Sequence, residues 1–205
     1  MAILAVNPTR MALMDLKRRS KSAQRGHKLL KDKQDGLMQA FLSTVRRAQE
    51  LRKKVEEELG EAFHMFLLAS AWIPENTMTN ALSSPEARVK LDTETKSVMS
   101  VRIPIFQLQR EGKVKTYGAS HTNALLDKAV DRFEQVFDVL VQLAEIEKQA
   151  ENMAIELEAT RRRVNALEYN VIPNLKDTVK YITMKLDEAE RAAIISTMRV
   201  KASIS

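Results

Sequence analysis

The side chains best suited to metal binding or proton transfer are three histidines, His27, His64 and His121; the chain has no cysteine. Zinc and related ions are held by ligands grouped at short, characteristic spacings, and these histidines lie far apart. His27 falls at an apolar-seam position and reads as a half-buried packing residue. The carboxylate run Glu56-Glu57-Glu58 would lie on a helix surface. General acid–base work needs a cleft that moves a carboxyl pKa, so this run reads as a solvated face. The glycines are isolated and none opens a GxxxxGK phosphate cradle. No catalytic, cofactor or metal site is therefore expected. The ten methionines fall at helical spacing and read as seam filler rather than as a promiscuous binding groove.

Charge is the more informative pattern. Arg10, Lys17, Arg18, Arg19, Lys21, Arg25, Lys28, Lys31 and Lys33 crowd one stretch, opposed there by Asp15 and Asp32. Late in the chain Arg161, Arg162, Arg163, Lys176, Lys180 and Lys185 outnumber Glu158, Glu168 and Asp177. Between these stretches Asp127, Asp131, Glu134, Asp138, Glu145 and Glu147 exceed Lys128, Arg132 and Lys148. The candidate partner-binding residues are Arg25, Lys28, Lys31, Arg161, Arg162 and Arg163, which would meet an acidic or polar protein surface. A net charge of +6 invites a nucleic-acid reading, but no aromatic residues are interleaved with the cations and no binding motif is present.

The elements that must carry these charges are long helices. Glycine and proline number five each, aromatics make up 5% and charged residues 29%, a composition typical of coiled coils. Thr9 can cap a helix that meets no proline until Pro74; from Arg10 to about Ser70 it would span roughly 90 Å at about 1.5 Å per residue. Phe41, Val45, Ala48, Val55, Leu59, Ala62, Phe66 and Ala69 follow steps of three and four if Arg52 fills the gap. Leu16, Ala23, Leu30 and Leu37 keep one heptad position apolar, while Ser20, His27 and Gln34 make its companion polar, so this stretch should pack weakly. A second helix from about Asn123 carries Leu126, Val130, Phe133, Phe137, Leu140 and Ala144, then Leu157, Thr160, Val164, Leu167 and Val171, then Ile182 and Leu186. Pro173 should kink it, having no N–H to donate and crowding the carbonyl of Tyr169.

The middle differs. Asn76 to Pro85 reads as polar loop. Ala87–Leu91 with Ser97–Ile103, and Ile105–Gln109 with Lys113–Tyr117, read as one or two β-hairpins turning at Asp92–Thr95 and Glu111–Gly112, with Pro104 confined to an edge strand. The expected fold is thus all-α: a long antiparallel two-helix coiled-coil hairpin with a small β-hairpin cap. Its segments are an N-terminal helix over 1–72, loop and cap over 73–122, and a C-terminal helix over 123–205, forming one elongated unit. The absence of cysteine fits a reducing compartment, and no apolar run approaches the roughly 20 residues of a membrane span. A cytoplasmic protein without direct membrane insertion is expected.

The segments NPTRMALMDLKRR and RGHKLLKDKQDGLM (Arg25 to Met38) resemble the N-terminal helix of the D subunit of the V-type and A-type rotary ATPases. RRVNALEYNVIPNL (Arg162 to Leu175) and YITMKLDEAER (Tyr181 to Arg191) resemble its C-terminal helix. The resemblance implies a non-catalytic central rotor shaft, peripheral to the membrane as part of the soluble ATPase sector. Its terminal end would insert into the hexamer of A and B subunits. The F subunit would bind alongside, and a funnel-shaped subunit on the membrane rotor ring would receive the other end. Such a shaft, turning in a sleeve, should carry sparse apolar contact and shallow charge–charge minima. The alternatives are the coiled-coil stalk of a secretion or flagellar-export ATPase, which lacks a comparable β cap, and a basic coiled-coil nucleic-acid binder.

Overall fold

The computed structural model describes residues 4–118 and 122–204. In chain order the elements are α1 (Arg10–Ser70), α2 (Glu75–Leu82), β1 (Arg88–Val98), β2 (Val101–Glu111), α3 (Ala124–Ala166), a π-helical turn (Leu167–Val171) and α4 (Ile172–Ile204). They divide into two compact units: Met1–Gly36 with Leu157–Ser205, and Leu37–Glu156. The fold is the mostly helical one expected, a pair of long helices with a two-stranded antiparallel sheet in the middle of the chain.

The first unit is an antiparallel pairing of α1 with α4 and the end of α3. Thr9 caps α1, its Oγ1 accepting from the Ala12 N–H at 3.2 Å. Leu16, only 4% exposed, packs with Leu175 and Ile182, and Leu13, Ala23, Val179 and Leu186 close around them. The expectation of weak packing beside Leu16 is thus corrected: the polar companion positions leave room for a discrete apolar cluster. Pro173 does not simply kink the helix. The turn before it widens, so that the Ile172 N–H donates to the Leu167 carbonyl five residues back. A π turn takes in an extra residue, which moves the carbonyls away from the proline ring and absorbs the missing donor. Val171, which strict heptad counting places in the seam, is exposed because the count fails across this turn.

In the second unit α1 pairs with α3. Val55, Ala62 and Ala69 are buried on α1; Leu126, Ala129, Val130, Val136, Leu143, Ile146 and Met153 are buried on α3. Phe133 meets Phe63 and Phe66 edge-to-face, with ring centroids 5.3 and 6.3 Å apart. The seam on α3 lies one residue away from the expected one after Phe133: Val136 is 1% exposed and Phe137 41%. Leu143 is likewise buried while Leu140 is exposed. Both registers are apolar, and the structure uses the second for another purpose. Phe137 lies under the Arg110 guanidinium, 5.5 Å from its ring centroid.

The middle of the chain departs from expectation in two places. Where a polar loop was expected, Pro74 introduces the short helix α2, its carbonyl accepting from the Thr77 and Met78 N–H groups. There is a single hairpin, with Val98 paired to Val101 across Met99 and Ser100, so Asp92–Thr95 lies inside a strand. Met99 and Ser100 both have positive φ, 51° and 69°, the signature of a type I′ turn. Residues 113–118 form no strand; Gly112, at φ 87°, turns the chain there.

The register assignment predicts that Leu143→Ala will destabilise by about 2–5 kcal/mol and Leu140→Ala by clearly less; equal losses in denaturant melts would contradict it. The helix and turn glycines should respond oppositely. Gly60 has open space where a methyl group would stand, so Gly60→Ala should stabilise by roughly 0.5–1 kcal/mol. Gly112→Ala should destabilise, because its Cβ would stand 2.5 Å from the Glu86 carbonyl oxygen. Thermal melts of the two variants check the contrast.

Candidate interaction surfaces

The expected basic site lies in the first unit. Arg25, Lys28 and Lys31 are all exposed on α1, and Arg161, Arg162 and Arg163 are exposed on α3. Steps of three residues rotate a helix by about −60° each, so the α1 trio fans over one side. Consecutive residues turn by about 100°, so the three arginines cannot point one way; they flank the buried Thr160 and Val164. Arg162 is already engaged with Glu158 one turn before it, and the Arg25 Nε reaches back to the Lys21 carbonyl at 3.5 Å. His27 Nε2 stands 3.4 Å from Glu168 Oε2, with a side chain 21% exposed, consistent with a half-buried packing role. In an antiparallel pair this contact brings Lys31, one turn along α1, level with Val164 on α3. The two basic groups therefore share a level of the first unit.

The acidic run on α3 has a role that charge counting missed. Tyr117 donates to Asp127 Oδ1 at 2.8 Å, and Lys115 pairs with Asp131 at 2.6 Å. Arg110 pairs with Asp138 at 2.5 Å and also donates to the Glu134 carbonyl. Glu145 Oε2 accepts the Phe106 N–H at 3.0 Å. Gln149 and Asn152 donate to the carbonyls of Pro104 and Arg102 at 3.2 and 3.0 Å. Helical spacing puts this polar stripe on the side of α3 away from its apolar seam. One helix thus holds α1 with one stripe and the hairpin with the other. The signal was present as acids, Gln and Asn recurring at steps of three, four and seven.

A groove of about 340 Å³ lies beside this stripe, lined by apolar groups including Val89, Val114, Val130, Phe133 and Phe137. Among the described residues no cluster of histidine and carboxylate groups could hold a metal ion. His64 is exposed on α1, and His121 lies outside the described residues. Nor is any helix long and apolar enough to cross a membrane. Methionine does not fill the seam as expected: Met153 is buried, but Met11, Met14, Met38, Met99, Met184 and Met198 are exposed.

A family model for the ATP synthase D subunit matches residues 12–202, nearly the whole chain. The chain belongs to the family of ATP synthase D subunits. It is 50% identical over 204 residues to the V-type ATP synthase D subunit of Fusobacterium nucleatum, covering 98% of this chain and 97% of that protein. The corresponding subunits of Clostridium novyi and Clostridium botulinum are 46% and 45% identical over 206 and 203 residues. Those matches cover 98% and 97% of this chain, and 95% and 94% of the relatives. The resemblance carried by the two long helices is thereby established over the chain's length.

One ionisable group is clearly perturbed in this docking region. The Tyr117 phenol is pushed well above its ordinary range, first by burial, then by its hydrogen bond to Asp127 and the negative charges of Asp127 and Asp131. A raised phenol pKa contributes stability that is full below the unfolded value of about 10 and is lost as pH rises through the folded value. Tyr117→Phe should therefore flatten the decline of stability above about pH 10; urea melts at alkaline pH read this directly.

Proposed function

We propose that this protein is the central rotor shaft of a V/A-type ATPase. In this reading it couples ATP hydrolysis or synthesis in the hexamer of A and B subunits to rotation of the ion-translocating ring in the membrane. It is a non-catalytic subunit, located in the cytoplasm on the peripheral, soluble sector. Nucleotide is bound and turned over elsewhere. The F subunit lies alongside, and the funnel-shaped subunit on the rotor ring receives the shaft.

The observation that carries this reading is the exposed basic surface of a helix pair whose sequence matches the family nearly end to end. Lys and Arg at the surface of paired helices present charge to a surrounding wall. Each exposed pair is worth about 0–1 kcal/mol and is screened beyond about 10 Å at 0.1 M salt. Contacts of that size orient a shaft without locking it. The expectation of sparse apolar surface needs correction. After Glu190, which meets Arg10 at 2.5 Å, every described residue of α4 is exposed, including Ile194, Ile195, Met198, Val200 and Ile204. We therefore assign grip to this apolar end and orientation to the basic surface.

The test is the triple variant Arg25→Glu, Lys28→Glu, Lys31→Glu. It should keep its helicity yet assemble poorly with the A/B hexamer in a low-salt pull-down, and added salt should narrow the gap from wild type. Undiminished assembly and coupled hydrolysis at low salt would remove these three residues from the interface.

A further inference from the structure

The two edges of the hairpin are treated differently. The two-residue turn makes Val98 and Val101 a hydrogen-bonded pair, and pairing alternates from there. On β2 the even-numbered residues from Arg102 therefore turn their backbone groups outward. The contacts of Arg102, Pro104 and Phe106 with Asn152, Gln149 and Glu145 close that edge. Pro104 sits where an N–H would point away from β1, so the ladder loses nothing. On β1 the same alternation turns the N–H and C=O groups of Val89, Leu91, Thr93, Thr95 and Ser97 outward. Among the described residues no hydrogen bond to that edge is seen, and Val89 and Leu91 are 52% and 47% exposed. β1 is eleven residues long, with neither bulge nor proline to blunt it.

We propose that β1 accepts a third strand from another polypeptide, one with acidic side chains opposite Lys90 and Lys96 and basic ones opposite Asp92 and Glu94. The occupant is chosen by charge. These four residues alternate along one face of β1, and Lys90 and Asp92 are exposed there. A second copy of this chain, paired antiparallel about Thr93, would set Lys90 against Lys96 and Asp92 against Glu94. Like charges directly opposite destabilise a strand pair. A strand reading acid, base, base, acid at alternate positions converts each repulsion into attraction, while main-chain bonds supply the affinity. This inference stands apart from the basic surface of the first unit and does not depend on it.

The probe is a short synthetic peptide of alternating Val and Thr with Glu, Arg, Arg and Glu at the intervening positions. A control peptide exchanges the two charge signs. Titrated into the full-length chain, the first should slow amide exchange at Leu91, Thr93 and Thr95, whose N–H groups face out. It should leave Asp92 and Glu94, already paired to β2, unchanged. The control should bind about tenfold more weakly, given four reversed cross-strand pairs. Thr93→Pro should abolish binding, since it removes an outward donor only. The combined exchange Lys90→Glu, Asp92→Lys, Glu94→Lys, Lys96→Glu should reverse the peptide preference, which a misfolded hairpin could not do. Equal binding of the two peptides, no binding, or a dimer of this chain that Thr93→Pro dissolves would overturn the proposal.

Discussion

Everything in this chain depends on the apolar seam along α1. A two-helix pair has no third layer, so each helix can bury one stripe and must leave the rest of its circumference wet. Isolated helices are marginal in water, and packing of that stripe supplies most of their stability. In the first unit the seam is concentrated in the Leu16, Leu175 and Ile182 cluster. In the second it runs through small residues, Ala62, Ala69 and Ala129, which let the backbones approach, and through the Phe63, Phe66 and Phe133 rings. Ala69, Ile73 and Leu126 close it where α2 and Tyr117 pack on.

That constraint explains where the sequence could be read and where it could not. The α1 stripe was legible because it faces a single partner. The α3 register was not, because adjacent apolar residues, Val136 with Phe137 and Val139 with Leu140, satisfy two registers equally. Only the docked hairpin decides between them. The hairpin turn was hidden for a different reason. Met99 and Ser100 occupy conformations usually signalled by Asn-Gly or Gly-Gly, whereas the polar Asp92–Thr95 imitated a turn while pairing inside β1. Pro173 announced a disturbance, but a proline alone does not say whether the helix bends or widens.

The candidate site was legible in its residue types and less so in its role. The basic residues lie on the surface as their composition requires. The acidic stretch of α3 looked like the opposite pole of an electrostatic gradient, yet its carboxylates are engaged in contacts to Arg110, Lys115, Tyr117 and the Phe106 amide. A charge count cannot separate a solvated carboxylate from one that holds a strand, since that distinction depends on which backbone groups need a partner.

The same question, where the backbone's hydrogen bonds go, separates the finished surfaces of this protein from the unfinished ones. A helix satisfies its own interior, so the basic residues of α1 and α3 can be exchanged or reversed without orphaning a main-chain group. Their selection falls on the partner alone. A strand edge is different: its donors and acceptors face outward whether or not a partner exists. The chain commits Glu145, Gln149 and Asn152 to closing the edge of β2, and it places a proline there besides. Among the described residues nothing comparable stands along β1, although an acid or amide on a neighbouring turn could have served. Water can satisfy such an edge, but it does not select among strands. Lys90, Asp92, Glu94 and Lys96 do, since their order penalises overlap with an identical strand and favours one of complementary charge.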